Sequence, residues 1–137
     1  DKARLERLVK KYALESFVTL AGKVSMNIYR DLMRNADVVV NAALKEGAVT
    51  VSFDSMAMGK PLICLDTTGY TRYFTNDYAI LIPRTEVIQH LEEAMLRMTQ
   101  TEEQERLGRK AQEVSERFSW ENHGKEIRDA ILKAYTS

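Results

Sequence analysis

The sequence predicts an α/β fold in which a short parallel sheet is covered by helices on both faces. Two observations carry this. The runs "FVTLAG", "DVVVNA", "PLICLD" and "YAILIP" are apolar at nearly every position. Strands read that way when both faces are buried, whereas a half-exposed sheet alternates. These runs also alternate with helical stretches along residues 17–83, the order that builds parallel pairs. About four strands are expected. A single domain over 1–137 follows, with an α/β core in 1–83 and a helical remainder in 84–137.

Each element has its own signal. In "DKARLERLVKKYALES", Leu5, Leu8, Val9, Tyr12 and Ala13 share one helical face from the start, so the chain reads as a piece of a longer protein. "FVTLAG" is the first expected strand. Ser25 is placed to cap a helix over "MNIYRDLMRNA". "DVVVNA" leads into a helix over 48–58, which Gly59 and Pro61 stop before "PLICLD". "TTGYTRYFTND" predicts a loop with one helical turn, and Pro83 closes the strand in "YAILIP". Val87, Ile88, Leu91, Met95 and Met98 then line a helix over residues 85–99. Thr101 and Gln104 make a capping box for a helix that carries Leu107, Ala111, Val114 and Phe118 inward. Ser119 caps a last helix with Trp120, Ile127, Ile131, Leu132 and Tyr135 on its apolar side.

Composition narrows the function classes. Of 137 residues, 45% are hydrophobic and 29% charged, and no apolar run approaches a membrane span, so a soluble globular domain is expected. Lys plus Arg equals Asp plus Glu at 20 each, a balance that gives no footprint for nucleic acid. The single Cys64 excludes an internal disulfide, favours a reducing compartment, and reads as a small buried hydrophobe. His90 and His123 lack metal-ligand spacing and read as surface residues, so no metal site is expected.

The chemistry gathers in "KEGAVTVSFDSMAMGKP". Glu46 stands just before a short apolar helix and Asp54 lies within it, roughly 10 to 12 Å further along the axis. On a parallel sheet this loop leaves the carboxyl end of a strand, where ligands bind in open α/β folds. The first turn, Gly47 to Thr50, presents unpaired N–H groups and partial positive charge suited to a phosphate. A carboxylate beside a phosphate must face something else. A nucleoside diphosphate sugar offers polyols at about this spacing, and carboxylates accept hydrogen bonds from polyols. From spacing alone a plainer reading also stands: Glu46 favours a helix start and Asp54 is a solvated surface residue.

The stretch "ADVVVNAALKEGAVTVSFDSMAMGKPLICLDTTG" resembles the nucleotide-binding core of the retaining glycosyltransferases of family 4, group 1, which have the GT-B fold with Rossmann-like domains. Glu46, Gly47, Met56, Ala57, Gly59, Lys60 and Pro61 match that family's central motif, and "NIYRDLMRNADVVV" and "RFSW" match its text on either side. The resemblance implies a partial C-terminal GT-B domain that binds a nucleotide sugar as donor substrate, with no further cofactor. Glu46 would act on the donor sugar and stabilise an oxocarbenium-like transition state. Asp54, standing where the family has a second glutamate, would hold the ribose. Gly47, Ala48, Val49 and Thr50 would cradle sugar and diphosphate, Gly22, Lys23 and Val24 would pack the base, and Thr68 and Gly69 would lie near the phosphates. Asp54 is one methylene shorter than the family's glutamate, Val49 replaces a frequent glycine, and Asn41–Ala42 replaces a usual Pro-Ser pair.

Further expectations follow from what the resemblance leaves out. The family's first domain, and the strands and basic loop that open its second, have no counterpart in these residues, so the chain by itself is expected to be inactive. The missing strands belong between "FVTLA" and "DVVVN", so the sheet is expected to close that gap or to exchange strands with a second copy. A cytoplasmic parent, at the inner face of a membrane and serving cell-envelope polysaccharide synthesis, is implied. The competing readings are a non-catalytic α/β interaction or regulatory module and a GT-B sugar-nucleotide epimerase fragment.

Overall fold

Leu62–Leu65 forms the middle strand of a parallel sheet, and all four of its residues are buried. The computed structural model describes residues 2–44, 49–67 and 69–136. Among these the elements run α1 (Lys2–Lys11), α2 (Met26–Asn35), β1 (Val39–Asn41), α3 (Thr50–Ala57), β2 (Leu62–Leu65), β3 (Ile80–Ile82), α4 (Val87–Arg97), α5 (Thr101–Ser115), a 3-10 turn (Glu116–Phe118) and α6 (Trp120–Thr136). The chain falls into two compact units, Asp1–Leu32 and Met33–Ser137.

In the second unit the three strands lie in the order β1-β2-β3, all parallel, with Val40 beside Ile63 and Cys64 beside Leu81. The period of two along a strand sends Ile63 and Leu65 to one face. There, with Ile80 and Ile82, they meet Ala94 and Met98 near the end of α4 and Leu107 of α5. Leu62 and Cys64 alternate to the opposite face, and α3 packs against β1 and β2. Burial, with a smaller push from the Asp66 charge, raises the Cys64 thiol to about 12. The thiol therefore stays protonated and serves as packing.

Behind α3 the backbone turns sharply into β2. Gly59 sits at φ +64°, in the left-handed region that a side chain resists. The Ser55 hydroxyl donates to the Lys60 carbonyl at 2.9 Å and secures the turn. Helix α5 crosses this turn so closely that a Cβ on Gly108 would lie 2.2 Å from the Gly59 carbonyl oxygen. Leu107 and Ala111, on either side of Gly108, are fully buried.

The structure corrects four expectations. Residues 17–22 form no strand: a turn closes at Phe17, whose N–H donates to the Leu14 carbonyl at 2.9 Å, and residues 18–22 join no ladder. A strand exists only through a neighbour, and β propensity alone does not supply one. The gap beside β1 is therefore not closed by this segment, and three strands are found among the described residues where about four were expected. None of residues 2–32 is buried, so the first unit has no core of its own. On α4, Ile88 and Met95 are exposed, and the buried or half-buried stripe is Val87, Leu91, Ala94 and Met98. A narrow sheet covers only a narrow stripe of helix, and residues one position off it face water.

The expected capping box is also absent. Helix α5 starts at Thr101 without a side-chain cap, and the Gln104 amide donates instead to the Met98 carbonyl at 2.6 Å, tying α5 to the end of α4. Finally, Trp120, Ile127, Ile131, Leu132 and Tyr135 of α6 are all exposed. The caps predicted for two other helices do form: Ser25 Oγ accepts the Ile28 N–H at 3.4 Å, and Ser119 Oγ accepts the Asn122 N–H at 3.3 Å.

A charged clasp reinforces the α4–α5 corner. Glu103 accepts from Arg106 at 2.7 and 3.0 Å and from the Arg97 guanidinium as well. Arg106 first, and then Arg97, hold its carboxyl down to about 2 from the usual 4.5, against the opposing effect of desolvation. A carboxyl lowered by folding contributes stability that is complete above its unfolded value and disappears as pH falls through its folded one. Glu103→Gln should therefore lose stability relative to wild type near neutrality, and the difference should shrink from about pH 4.5 to about pH 2. Thermal melts across that window check it; a gap independent of pH refutes it.

Candidate functional site

In a parallel sheet the carboxyl ends of all strands share one edge. Here that edge carries Asn41 at the end of β1, Asp66 and Thr67 after β2, and Pro83 after β3. Asn41 shapes the exit from β1. Its Nδ2 donates to Ser52 Oγ at 3.4 Å, and its Oδ1 accepts the Ala43 N–H at 3.4 Å. One amide thus links the departing loop to the buried side of α3, because Ser52 is fully buried.

Helix α3 returns from this edge, and its eight residues divide cleanly. Ser52, Ser55 and Met56 are buried, whereas Thr50 and Ala57 are exposed and Asp54 is half-buried. Thr50, Asp54 and Ala57 recur at helical spacing, so they form one outward stripe beginning at the amino end. Val49 precedes the helix, and its carbonyl accepts the N–H groups of Ser52 at 3.0 Å and Phe53 at 3.1 Å. Among the described residues no side chain caps this end, and no acid lies in its first turn. The end therefore keeps its partial positive charge, the condition for an anion. Val49 as a whole is only 5% exposed.

After β2 the chain turns twice in helical fashion: the Tyr70 and Thr71 N–H groups donate to the Thr67 carbonyl, and those of Tyr73 and Phe74 to the Tyr70 carbonyl. Gly69 begins this segment, half-buried. It lies in the loop leaving the carboxyl end of the strand next to β1. The structure thus brings Val49, Thr50, Asp54 and Gly69 onto elements of one sheet edge. Glu46, Gly47, Ala48 and Thr68 lie outside the described residues. Gly22, Lys23 and Val24 belong to the first unit and lead into α2; Gly22 has φ +64° and Lys23 is exposed.

Two surface clefts lie elsewhere. One of about 420 Å³ is lined by Asn76, Asp77, Arg106 and Lys110, and another of about 530 Å³ by Ala57, Gln112 and Glu116. Neither lining includes Thr50, Asp54 or Gly69. Among the described residues no group of three or more His, Cys, Asp or Glu could hold a metal ion, and no helix is long and apolar enough to cross a membrane.

Sequence reasoning missed two features of this region. Asn41 has a readable signal, a polar residue ending an apolar strand. The rings packed around Phe53 have none, because they come from distant segments.

A parallel α/β sheet flanked by helices is of the Rossmann-like class. The chain belongs to the group 1 glycosyl transferases, whose family model matches residues 1–114. Comparison with curated proteins finds no match. Among solved structures the chain is similar to sucrose-phosphate synthase from Thermosynechococcus elongatus, with a TM-score of 0.81 and 23% identity over 98% of this chain and 34% of that one. It is also similar to the pneumococcal O-GlcNAc transferase GtfA in complex with UDP and GlcNAc, with a TM-score of 0.75 and 15% identity over 98% of this chain and 28% of that one. Both likenesses establish the GT-B fold. The chain spans about a third of the length of these structures.

Proposed function

We propose that this chain is the donor-binding part of a retaining glycosyltransferase that passes a hexosyl group from a nucleotide sugar to an acceptor. The observation that carries the reading is the outward stripe on α3, which places Asp54 one turn behind an uncapped helix start. The diphosphate rests over the N–H groups of the first turn. Asp54 accepts from the ribose hydroxyls, and Gly69 allows close approach to the phosphates. Glu46, with Gly47 and Ala48 beside the sugar, stabilises the positive charge that develops at the anomeric carbon as the diphosphate leaves. GtfA, a relative in fold, was solved with UDP, and this supports a nucleoside diphosphate as ligand.

On this reading a first domain of the same protein holds the acceptor, and strands from that protein or from a second copy complete the sheet beside β1. Nucleotide sugars place the work in the cytoplasm, at the inner face of a membrane when the acceptor is an envelope glycan precursor.

Titration of the full-length protein with UDP, GDP and ADP tests the reading, with amide resonances of Thr50, Val51 and Gly69 followed by NMR. One nucleotide should shift them at saturating concentration. Glu46→Gln should leave that binding within a few-fold and lower the rate of glycosyl transfer by roughly a hundredfold or more, the scale of a lost electrostatic contact to a transition state. Full transfer activity in that variant refutes the catalytic role. Absence of any nucleotide binding leaves a non-catalytic interaction module as the better reading.

A further inference from the structure

Three aromatic rings from three separate segments meet beside α3. Phe53 of α3 lies 5.3 Å from Tyr73, in the turn after β2, and 5.2 Å from Phe118, in the 3-10 turn, between ring centroids. Tyr73 and Phe118 close the triangle edge-on at 6.0 Å. Phe74 extends it, 5.5 Å from Phe53 and 5.9 Å from Tyr70. These separations fall in the range where ring pairs contribute beyond the burial of their surface.

The rings sit on the elements that carry the proposed donor contacts. Phe53 immediately precedes Asp54, and Tyr73 closes the helical turn that Gly69 begins. The backbone at Tyr73 is pinned from a third direction, since the Tyr78 hydroxyl donates to its carbonyl at 2.5 Å. Phe118 belongs to neither donor-bearing element, yet its ring touches both.

We propose that Phe118 is a positioning residue for the donor site: its ring braces α3 and the turn after β2 against each other and so sets the spacing between Asp54 and Gly69. This rests on the donor-binding reading above. Without the ring, α3 and the turn after β2 keep the Phe53–Tyr73 and Phe53–Phe74 pairs but lose the ring that touches both, and the two elements can shift more readily relative to one another. Donor affinity then falls although no donor contact has been removed.

The test compares Phe118→Ala and Phe118→Tyr with wild type in the full-length protein. Amide hydrogen exchange reads the bracing without any ligand. In Phe118→Ala, exchange should quicken about tenfold over 53–57 and 70–74, the scale of one or two lost ring contacts. The amides of Ile63, Leu65 and Ile82 should be unchanged. Phe118→Tyr keeps the ring at this partly exposed site and should restore the wild-type rates. Equal quickening everywhere means that Phe118 is merely structural, and unchanged rates in both segments mean that it braces nothing; either overturns the proposal.

The second measurement is the dissociation constant for UDP, GDP and ADP. Affinity for the nucleotide that binds should weaken about tenfold in Phe118→Ala and recover in Phe118→Tyr. Unchanged affinity in Phe118→Ala overturns the positioning role while leaving the donor reading intact. Failure of the wild type to bind any of the three overturns the donor reading, whatever exchange shows of the bracing.

Discussion

Gly108→Ala should lower the melting temperature by roughly 8–15 °C, the equivalent of about 2–3 kcal/mol in a domain of this size. The added methyl would sit 2.2 Å from the Gly59 carbonyl oxygen and 3.2 Å from its carbon, and both atoms are backbone. A flexible side chain could move aside; a turn held by the Ser55–Lys60 hydrogen bond cannot do so without disturbing β2. Helix α5 cannot lift away either, because Leu107 and Ala111 are fully buried on each side of the contact. Gly59→Ala is the control. Its Cβ meets the movable end of Gln112 at 3.3 Å and the Gly108 carbonyl at an ordinary 3.7 Å, so its cost is the left-handed backbone, about 1 kcal/mol. Thermal melts of both variants decide the matter, and the close packing of α5 on the turn is wrong if Gly59→Ala proves the more damaging.

Asp54→Ala should weaken binding of the nucleoside diphosphate by about ten- to a hundredfold. A hydrogen bond to a charged group is worth about 1.5–3 kcal/mol, and a tenfold change corresponds to about 1.4 kcal/mol. The stripe geometry makes a structural artefact easy to exclude. Asp54 is half-buried on the outward side of α3, away from Ser52, Ser55 and Met56, so its loss should leave the fold standing. Asp54→Asn sharpens the test, since it preserves volume and one acceptor while removing the charge, and should give an intermediate loss. Asp54→Glu restores the missing methylene and should bind at least as tightly as wild type. Calorimetric titration of the four proteins measures the series. Equal affinity across it would remove Asp54 from the site.

The parts of the fold that could be read in the sequence are those whose partners are local or repeated. The apolar runs at residues 39–41, 62–65 and 80–82 became strands because each has a parallel neighbour on which to lie. "FVTLAG" has the same composition and no neighbour, so it did not. Helix α3 was legible from Gly59 and Pro61 at its end, and the caps at Ser25 and Ser119 from their position alone. Thr101 and Gln104 have capping-box spacing, but Gln104 found the Met98 carbonyl, a partner set by the angle between α4 and α5 rather than by sequence. The candidate site divides in the same way. Thr50 and Asp54 follow from helical spacing. Asn41 as an anchor for Ser52, and the meeting of Phe53, Tyr73 and Phe118, depend on tertiary structure that no local pattern encodes.

Helix α3 begins behind a valine whose side chain has no oxygen to give to the amides above it. Among the described residues, no side chain completes its first turn. On the donor-binding reading, an anion seated on that turn would stabilise the native state, so resistance to heat would rise with its concentration.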